Sequence, residues 1–197
     1  MINEKLLWKT LNKCNFNKEN DFLETILTQA GIEDIYGFLH VNKNDTYDPF
    51  LFKNIKKGIE LLHQNLGKTI LIKRDPDVDG YTSAAYIKGF IEDISPETEI
   101  VCVGSYQKEH GLILKDIEPY IDHLNLIIIP DAGSGSESIS IFKTIKEKYD
   151  IPILVLDHHE IDNEVLKYAT VINCNYGYYP NNTLSGVGVV HKFWLAY

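Results

Sequence analysis

The chain has 197 residues, with 19 Lys plus Arg against 28 Asp plus Glu and a formal net charge of −9 at neutral pH. At this length roughly 70% of the unfolded chain's surface can be buried, and 44% hydrophobic residues supply the core, which excludes a disordered or low-complexity chain. The acidic balance excludes an avid non-specific nucleic-acid binder, which neutralises phosphates with many Lys and Arg; it leaves room for an enzyme that gathers its carboxylates around a metal.

No apolar run approaches the roughly 20 residues that span a bilayer, and Met1 to Asn12 mix Glu4, Lys5 and Lys9 with apolar positions. The expectation is a cytoplasmic chain without signal peptide or membrane partner. Cys14, Cys102 and Cys174 are odd in number and far apart, with no CxxC pair. They are expected to be buried thiols.

The first fifty residues hold amphipathic stretches such as Phe22, Leu23, Ile26 and Leu27, then a polar passage from Asn42 to Asp48. Phe52, Ile55, Ile59, Leu62 and Leu66 recur at helical spacing up to Gly67, which predicts a helix. Beyond it the chain alternates. Thr69 to Ile72 reads as a strand, Asp79-Gly80 to Ser95-Pro96 as a helix, and Ile100 to Val103 and Leu126 to Ile129 as strands. Gly133 to Tyr149 reads as a helix, Ile153 to Leu156 and Thr170 to Ile172 as strands, and Ser185 to Tyr197 as a glycine-opened helix. Continuous β-branched runs separated by helical periods predict an α/β class: a roughly five-stranded, mainly parallel sheet with helices on both faces, preceded by a helical N-terminal segment. The expected division is a segment 1–66 packed on a main domain 67–197. The final helix has no stop signal, which suggests a fragment or a missing partner domain.

In open parallel sheets ligands bind beyond the carboxyl ends of the strands. There this chain is acidic: Asp75, Asp77 and Asp79 follow the first strand, Asp131 the third, and Asp157-His158-His159 the fourth. Crowded carboxylates repel one another unless a cation neutralises them. Mixed carboxylate and imidazole donors fit Mn²⁺ best, with Mg²⁺, Fe²⁺ or Co²⁺ possible. Two ions about 3.5–4 Å apart would clamp phosphoryl oxygens and activate water, the layout of a phosphoesterase. Asp75 to Gly80 also matches the opening of an EF-hand loop, but its twelfth position is Tyr86 and a strand precedes it, against calcium.

Asp75-Pro76-Asp77-Val78-Asp79-Gly80-Tyr81-Thr82-Ser83, Ile129-Pro130-Asp131-Ala132-Gly133 and Leu156-Asp157-His158-His159-Glu160 resemble the first three motifs of the DHH phosphoesterases. The chain is most similar to the RecJ branch, single-strand-specific 5′ to 3′ exonucleases. Asp48-Pro49-Phe50, Glu109-His110-Gly111-Leu112, Ile172-Asn173-Cys174-Asn175 and Leu184 to Val190 extend the resemblance from about Gly31 to the end.

The resemblance implies a DHH domain over 67–197 whose C-terminal partner domain, with the fourth-motif aspartate, lies outside the chain. It implies metal ligation by Asp77, Asp79, Asp131 and His158, with Asp131 bridging one or two Mn²⁺ or Mg²⁺ ions. His159 would face the scissile phosphate, Asp75 and Asp157 would orient ligands and fix imidazole tautomers, and Gly186 and Gly188 would admit a phosphate or a close backbone approach. Where the family commonly has a metal-binding His, this chain has Lys73, so the first ion should be weak or absent. Arg74 and Lys73 would contact phosphate or serve as counterions for the aspartates. Tyr176, Tyr178 and Tyr179 form an aromatic loop for which surface-loop packing is the more frequent explanation and stacking of bases the alternative, whereas Lys143, Lys146 and Lys148 read as a solvated helix face.

The implied function is metal-dependent hydrolysis of single-stranded DNA from a 5′ end to 5′ nucleotides. Single-stranded DNA-binding or repair proteins would be partners in DNA repair and recombination. Two alternatives stay open: a catalytically weakened module that holds single strands or a replication partner, and a phosphodiesterase for nanoRNA or cyclic dinucleotides.

Overall fold

The computed structural model describes residues 19–42, 45–104 and 112–197. The chain divides into two compact units, Met1–Thr46 and Tyr47–Tyr197. In the first, helix α1 (Glu19–Gln29) and the short α2 (Ile35–Leu39) are described, and the Gly37 amide of α2 donates to Asp34 at 2.9 Å.

The second unit carries α3 (Ile55–His63), β1 (Thr69–Lys73), α4 (Val78–Ile94), β2 (Glu99–Val103), α5 (Leu114–Ile117), β3 (Leu126–Pro130), α6 (Ile139–Tyr149), β4 (Ile153–Asp157), β5 (Thr170–Asn173) and α7 (Gly186–Ala196). Among the described residues the strands form one sheet in the order β2-β1-β3-β4-β5, every pair parallel. The α/β class, the parallel sheet and helices on both faces are therefore as the periodicity indicated.

Side-chain alternation sorts the strand residues into two cores. Ile70, Ile72, Leu126, Ile128, Leu154, Leu156 and Ile172 meet α3, α4 and α7 through Leu62, Ile87, Ile91, Val190 and Phe193. Leu71, Ile127, Ile129, Ile153, Val155 and Val171 meet Ile117 of α5 and Phe142 and Ile145 of α6 on the other face. Burial on both faces is why these strands read as unbroken apolar runs rather than alternating ones. Helix α3 thus contributes to the core of the second unit, through Ile55 and Leu62.

Some details differ from the sequence reading. The short α5 between β2 and β3 went unseen because four residues show no helical period. Between β4 and β5 there is only a 3₁₀ turn, Asn163–Lys167. Cys174 is buried as expected, but Cys102 is exposed on the edge strand β2, where side chains on one face meet solvent. Cys14 lies outside the described residues, as do Glu109, His110 and Gly111. No described helix is long and apolar enough to cross a membrane.

Candidate metal centre

The strand order places the connections from β1 and β3 on opposite sides, which opens a crevice between these two strands at their carboxyl ends. The loop after β1 brings Asp75, Asp77 and Asp79 to that crevice, and Asp131 follows β3 directly. Asp157 closes β4, with His158 and His159 next in the chain. An open cleft of about 880 Å³ lies here, and seven carboxylates line it: Asp75, Asp77, Asp131, Glu137, Asp157, Glu160 and Asp162. Groups carried by three separate strands thus converge, as the strand-end reading required.

Local structure holds each group. Asp77 caps α4, its Oδ1 accepting the Gly80 amide at 2.8 Å. Asp79 sits in the first turn of α4 and accepts from the first turn of α7: Gly186 N at 2.8 Å and Val187 N at 2.9 Å. Two helix N-termini therefore share one carboxylate, an arrangement the partial positive charge of a helix start favours. A Cβ at Gly186 would fall 2.1 Å from Asp131 Oδ1, so only glycine lets α7 approach this closely.

Asp131 adopts a left-handed backbone, φ 65°, a region Asp tolerates better than most residues. Its carboxyl is 2% exposed, and Oδ1 is buried without a hydrogen bond, although His158 Nε2 lies 3.2 Å away. Burial, reinforced by the charges of Asp79, Asp77 and Asp157, pushes its pKa up to about 8. An acid that is buried, surrounded by negative charge and lacking a donor is what a cation site looks like without its cation.

Asp157 behaves in the opposite way. It is fully buried, and burial alone would raise its pKa. The His159 ring (2.8 Å), the Ser134 amide (3.0 Å) and the His158 amide (2.8 Å) all donate to it, together with the His159 charge, and the balance lies below the ordinary value. Since an ionised carboxylate only accepts, Nδ1 of His159 carries the proton and Nε2 is the nitrogen left to react. The same bond lifts the His159 pKa to about 9 against the cost of burial, so at neutral pH the ring is an imidazolium that can donate to a phosphoryl oxygen.

Asp131, His158 and His159 offer ligand atoms within 4.8 Å of one another. The Asp131 carboxylate and the His158 imidazole, with Asp79 3.7 Å from that imidazole, suit a divalent transition ion better than calcium, and the buried, unbonded Asp131 oxygen fits such an ion.

Residues 69–196 match the DHH family, N-terminal domain. The chain belongs to the DHH family. It is also 36% identical, over 192 residues, to the "Putative SPbeta prophage-derived single-strand DNA-specific exonuclease YorK" of Bacillus subtilis strain 168 and to a similarly described protein of Bacillus phage SPbeta. That alignment takes in 94% of this chain but 31% of each relative, so the chain spans about a third of their length. The fold is similar to that of exonuclease RecJ bound to manganese, with TM-score 0.62, 18% identity and coverage of 77% of this chain and 39% of the other. It is also similar to RecJ in complex with Mn²⁺ from Thermus thermophilus, with TM-score 0.54, 18% identity and coverage of 74% and 20%.

Not every residue singled out from this DHH sequence lies where the reading put it. His159, expected opposite the phosphate, also falls within the three-residue ligand group, whereas Asp77 and Asp79 do not. Asp79 Oδ2 lies 3.7 Å from His158 Nε2. Asp75 lines the cleft and is 5% exposed. Lys73 is no counterion for the motif aspartates: its buried ammonium pairs with Asp116 of α5 at 2.8 Å. The Arg74 guanidinium lies over the Tyr81 ring, 4.0 Å from its centroid. Gly188 donates to Ser185 Oγ in the helix cap. Tyr179 is buried and stacked on Phe52 at 3.7 Å, which removes it from any stacking platform; Tyr176 lies under Lys53, and Tyr178 is fully exposed. Lys143 and Lys148 make surface contacts, and Lys146 donates to the Lys167 carbonyl.

Sequence reasoning gave no role to Ser134, Asn173 or Asn175. Asn173 and Asn175 stood only inside a motif passage, and nothing in the sequence signals that Ser134 and Asn173 are wholly buried.

Proposed function

We propose that the protein is a metal-dependent phosphodiesterase that degrades single-stranded DNA from a 5′ end, with Mn²⁺ as the preferred ion. The observation that carries the reading is the buried, unbonded Asp131 carboxyl beside His158, with the His159 imidazolium opposite. Family membership and the description of the longer relatives as putative single-strand DNA-specific exonucleases support it.

Asp131 and His158 would hold the ion together with Asp77 and with Asp79, whose Oδ2 lies 3.7 Å from His158 Nε2. When bound, it would supply positive charge that polarises a phosphoryl oxygen and acidifies water. The remaining work falls to the chain itself. His159 donates from Nε2 to an oxygen that gains charge, held in that tautomer by Asp157. The start of α7 fixes Asp79 through two amides. Seven carboxylates on the cleft wall repel a bare phosphodiester, a charge that a bound cation would offset. DNA repair and recombination, with single-stranded DNA-binding or repair proteins as partners, are the accompanying proposals.

The test is to incubate the protein with Mn²⁺ or Mg²⁺ and end-labelled single strands, duplexes and short oligoribonucleotides. Metal-dependent release of 5′ mononucleotides from single-stranded DNA is the expected result. No cleavage, or cleavage undiminished in Asp131→Ala, overturns it. Preferential cleavage of the oligoribonucleotides would shift the substrate to nanoRNA.

A further inference from the structure

Asp157 fixes the His159 ring and His158 Nε2 lies beside Asp131, but the backbone of both histidines is fixed from another strand. Asn173, the last residue of β5, is fully buried. Its Nδ2 donates to Ser134 Oγ at 2.8 Å and to the His159 carbonyl at 3.0 Å, while its Oδ1 accepts the Asn175 amide at 2.7 Å. Asn175 Nδ2 in turn donates to the His158 carbonyl at 2.6 Å. The orientation of the Asn173 amide is fixed by its partners, since a backbone carbonyl only accepts and a backbone N–H only donates.

These bonds close a ring. Ser134 N donates to Asp157, Asp157 accepts from the His159 ring, the His159 carbonyl accepts from Asn173, and Asn173 donates to Ser134 Oγ. His159 is thus held at its imidazole and at its carbonyl by one circuit anchored in the buried Asp157, Ser134 and Asn173. Only a primary amide can serve at position 173, because it must donate twice and accept once. A carboxylate there would face the His159 carbonyl, which cannot donate to it.

We propose that Asn173 and Asn175 are positioning residues: Asn173 sets His159 toward the phosphate, and Asn175 sets His158 toward the ion. The catalytic part of this inference rests on the phosphodiesterase reading, whereas the positioning part does not. Loss of comparable supporting bonds typically costs about 10–100-fold in metal affinity or activity.

The experiment has one arm without turnover. In the proton–nitrogen spectrum of the metal-free protein, the His159 Nδ1–H bonded to Asp157 gives a resonance identified by its absence in His159→Ala. In Asn173→Ala, with far-UV dichroism as for the parent, this resonance is expected to be lost or displaced; a resonance left in place overturns the proposal. If Asn173→Ala does not fold, Ser134→Ala, which removes the hydroxyl that Asn173 contacts, decides by the same readout. In the second arm, at saturating Mn²⁺, Asn173→Ala is expected to lower kcat about tenfold or more with KM within about twofold, and Asn175→Ala to weaken Mn²⁺ binding about tenfold. If even the parent protein cleaves nothing, the phosphodiesterase reading falls, and the resonance still decides whether Asn173 positions His159.

Discussion

Replacing Asp131 by Asn should stabilise the metal-free protein while abolishing its metal site. The substitution keeps size and tolerance of the left-handed backbone but removes a charge that the fold stores at a cost. With the carboxyl pushed from its ordinary 3.8 to about 8, the native state keeps a proton across that window that the unfolded state has released. Stability therefore falls as pH rises from about 4 to about 8. Since pH 7 is about three units above the ordinary value, the cost there is at most about 4 kcal/mol at 1.36 kcal/mol per unit. His159, raised from 6.5 to about 9, adds stability that is complete below 6.5 and lost as pH rises through 9; both proteins carry it, so it largely cancels in the comparison. Urea unfolding in EDTA, followed by far-UV dichroism, should place Asp131→Asn about 1–4 kcal/mol above the parent at pH 8. With a slope of about 2 kcal/mol/M, that is a midpoint shift of roughly 0.5–2 M, shrinking to nothing near pH 4. Mn²⁺ at about 100 times its dissociation constant should then add about 2.7 kcal/mol to the parent and nothing to the variant. Equal midpoints at pH 8, or a difference independent of pH, would refute the argument that Asp131 is held against its own burial and its neighbours' charge.

Binding of Mn²⁺ at pH 7 should release about 0.9 proton from Asp131, the protonated share at a pKa of about 8; calorimetry in two buffers of different ionisation enthalpy measures it, and the release should vanish in Asp131→Asn. Gly186→Ala puts a Cβ 2.1 Å from Asp131 Oδ1, so α7 must retreat and weaken its two amide bonds to Asp79. Urea unfolding should show a loss of about 2–4 kcal/mol, and calorimetry a weaker Mn²⁺ site. Asp157→Asn removes the charge that the His159 ring donates to, and should cost about 3 kcal/mol; the His159 pKa, read by NMR titration, should fall from about 9 towards 6.5.

The convergence of the acidic loops was legible because it depends on topology, and topology on patterns the sequence displays. Apolar runs such as Leu126 to Ile129 and Ile153 to Leu156 declare doubly buried parallel strands, and in such sheets the residues after each strand must meet at one edge. Lys73 shows where that logic stops. Asp75, Asp77 and Asp79 follow it within six positions, yet its ammonium turns to Asp116, 43 positions away on a helix too short to be read from periodicity. Tyr179 shows the same limit: the loop sequence left packing and base stacking both open, and only the Phe52 ring against it decides for packing.

The sequence by itself determined the α/β class, the order of strands and helices, and the gathering of Asp75, Asp77, Asp79, Asp131, His158 and His159 at the carboxyl edge. All of these follow from local propensity, two-residue and 3.6-residue periodicity, and connectivity. Only the tertiary structure decided that Asp131 is left without a donor, that Gly186 is the point where α7 touches it, that Asp157 fixes His159 as an imidazolium, and that Asn173 ties that histidine to Ser134. Those properties depend on separations of a few ångströms between residues far apart in the chain, and a hydrogen bond or a shifted pKa exists only once packing has set such distances and removed the water.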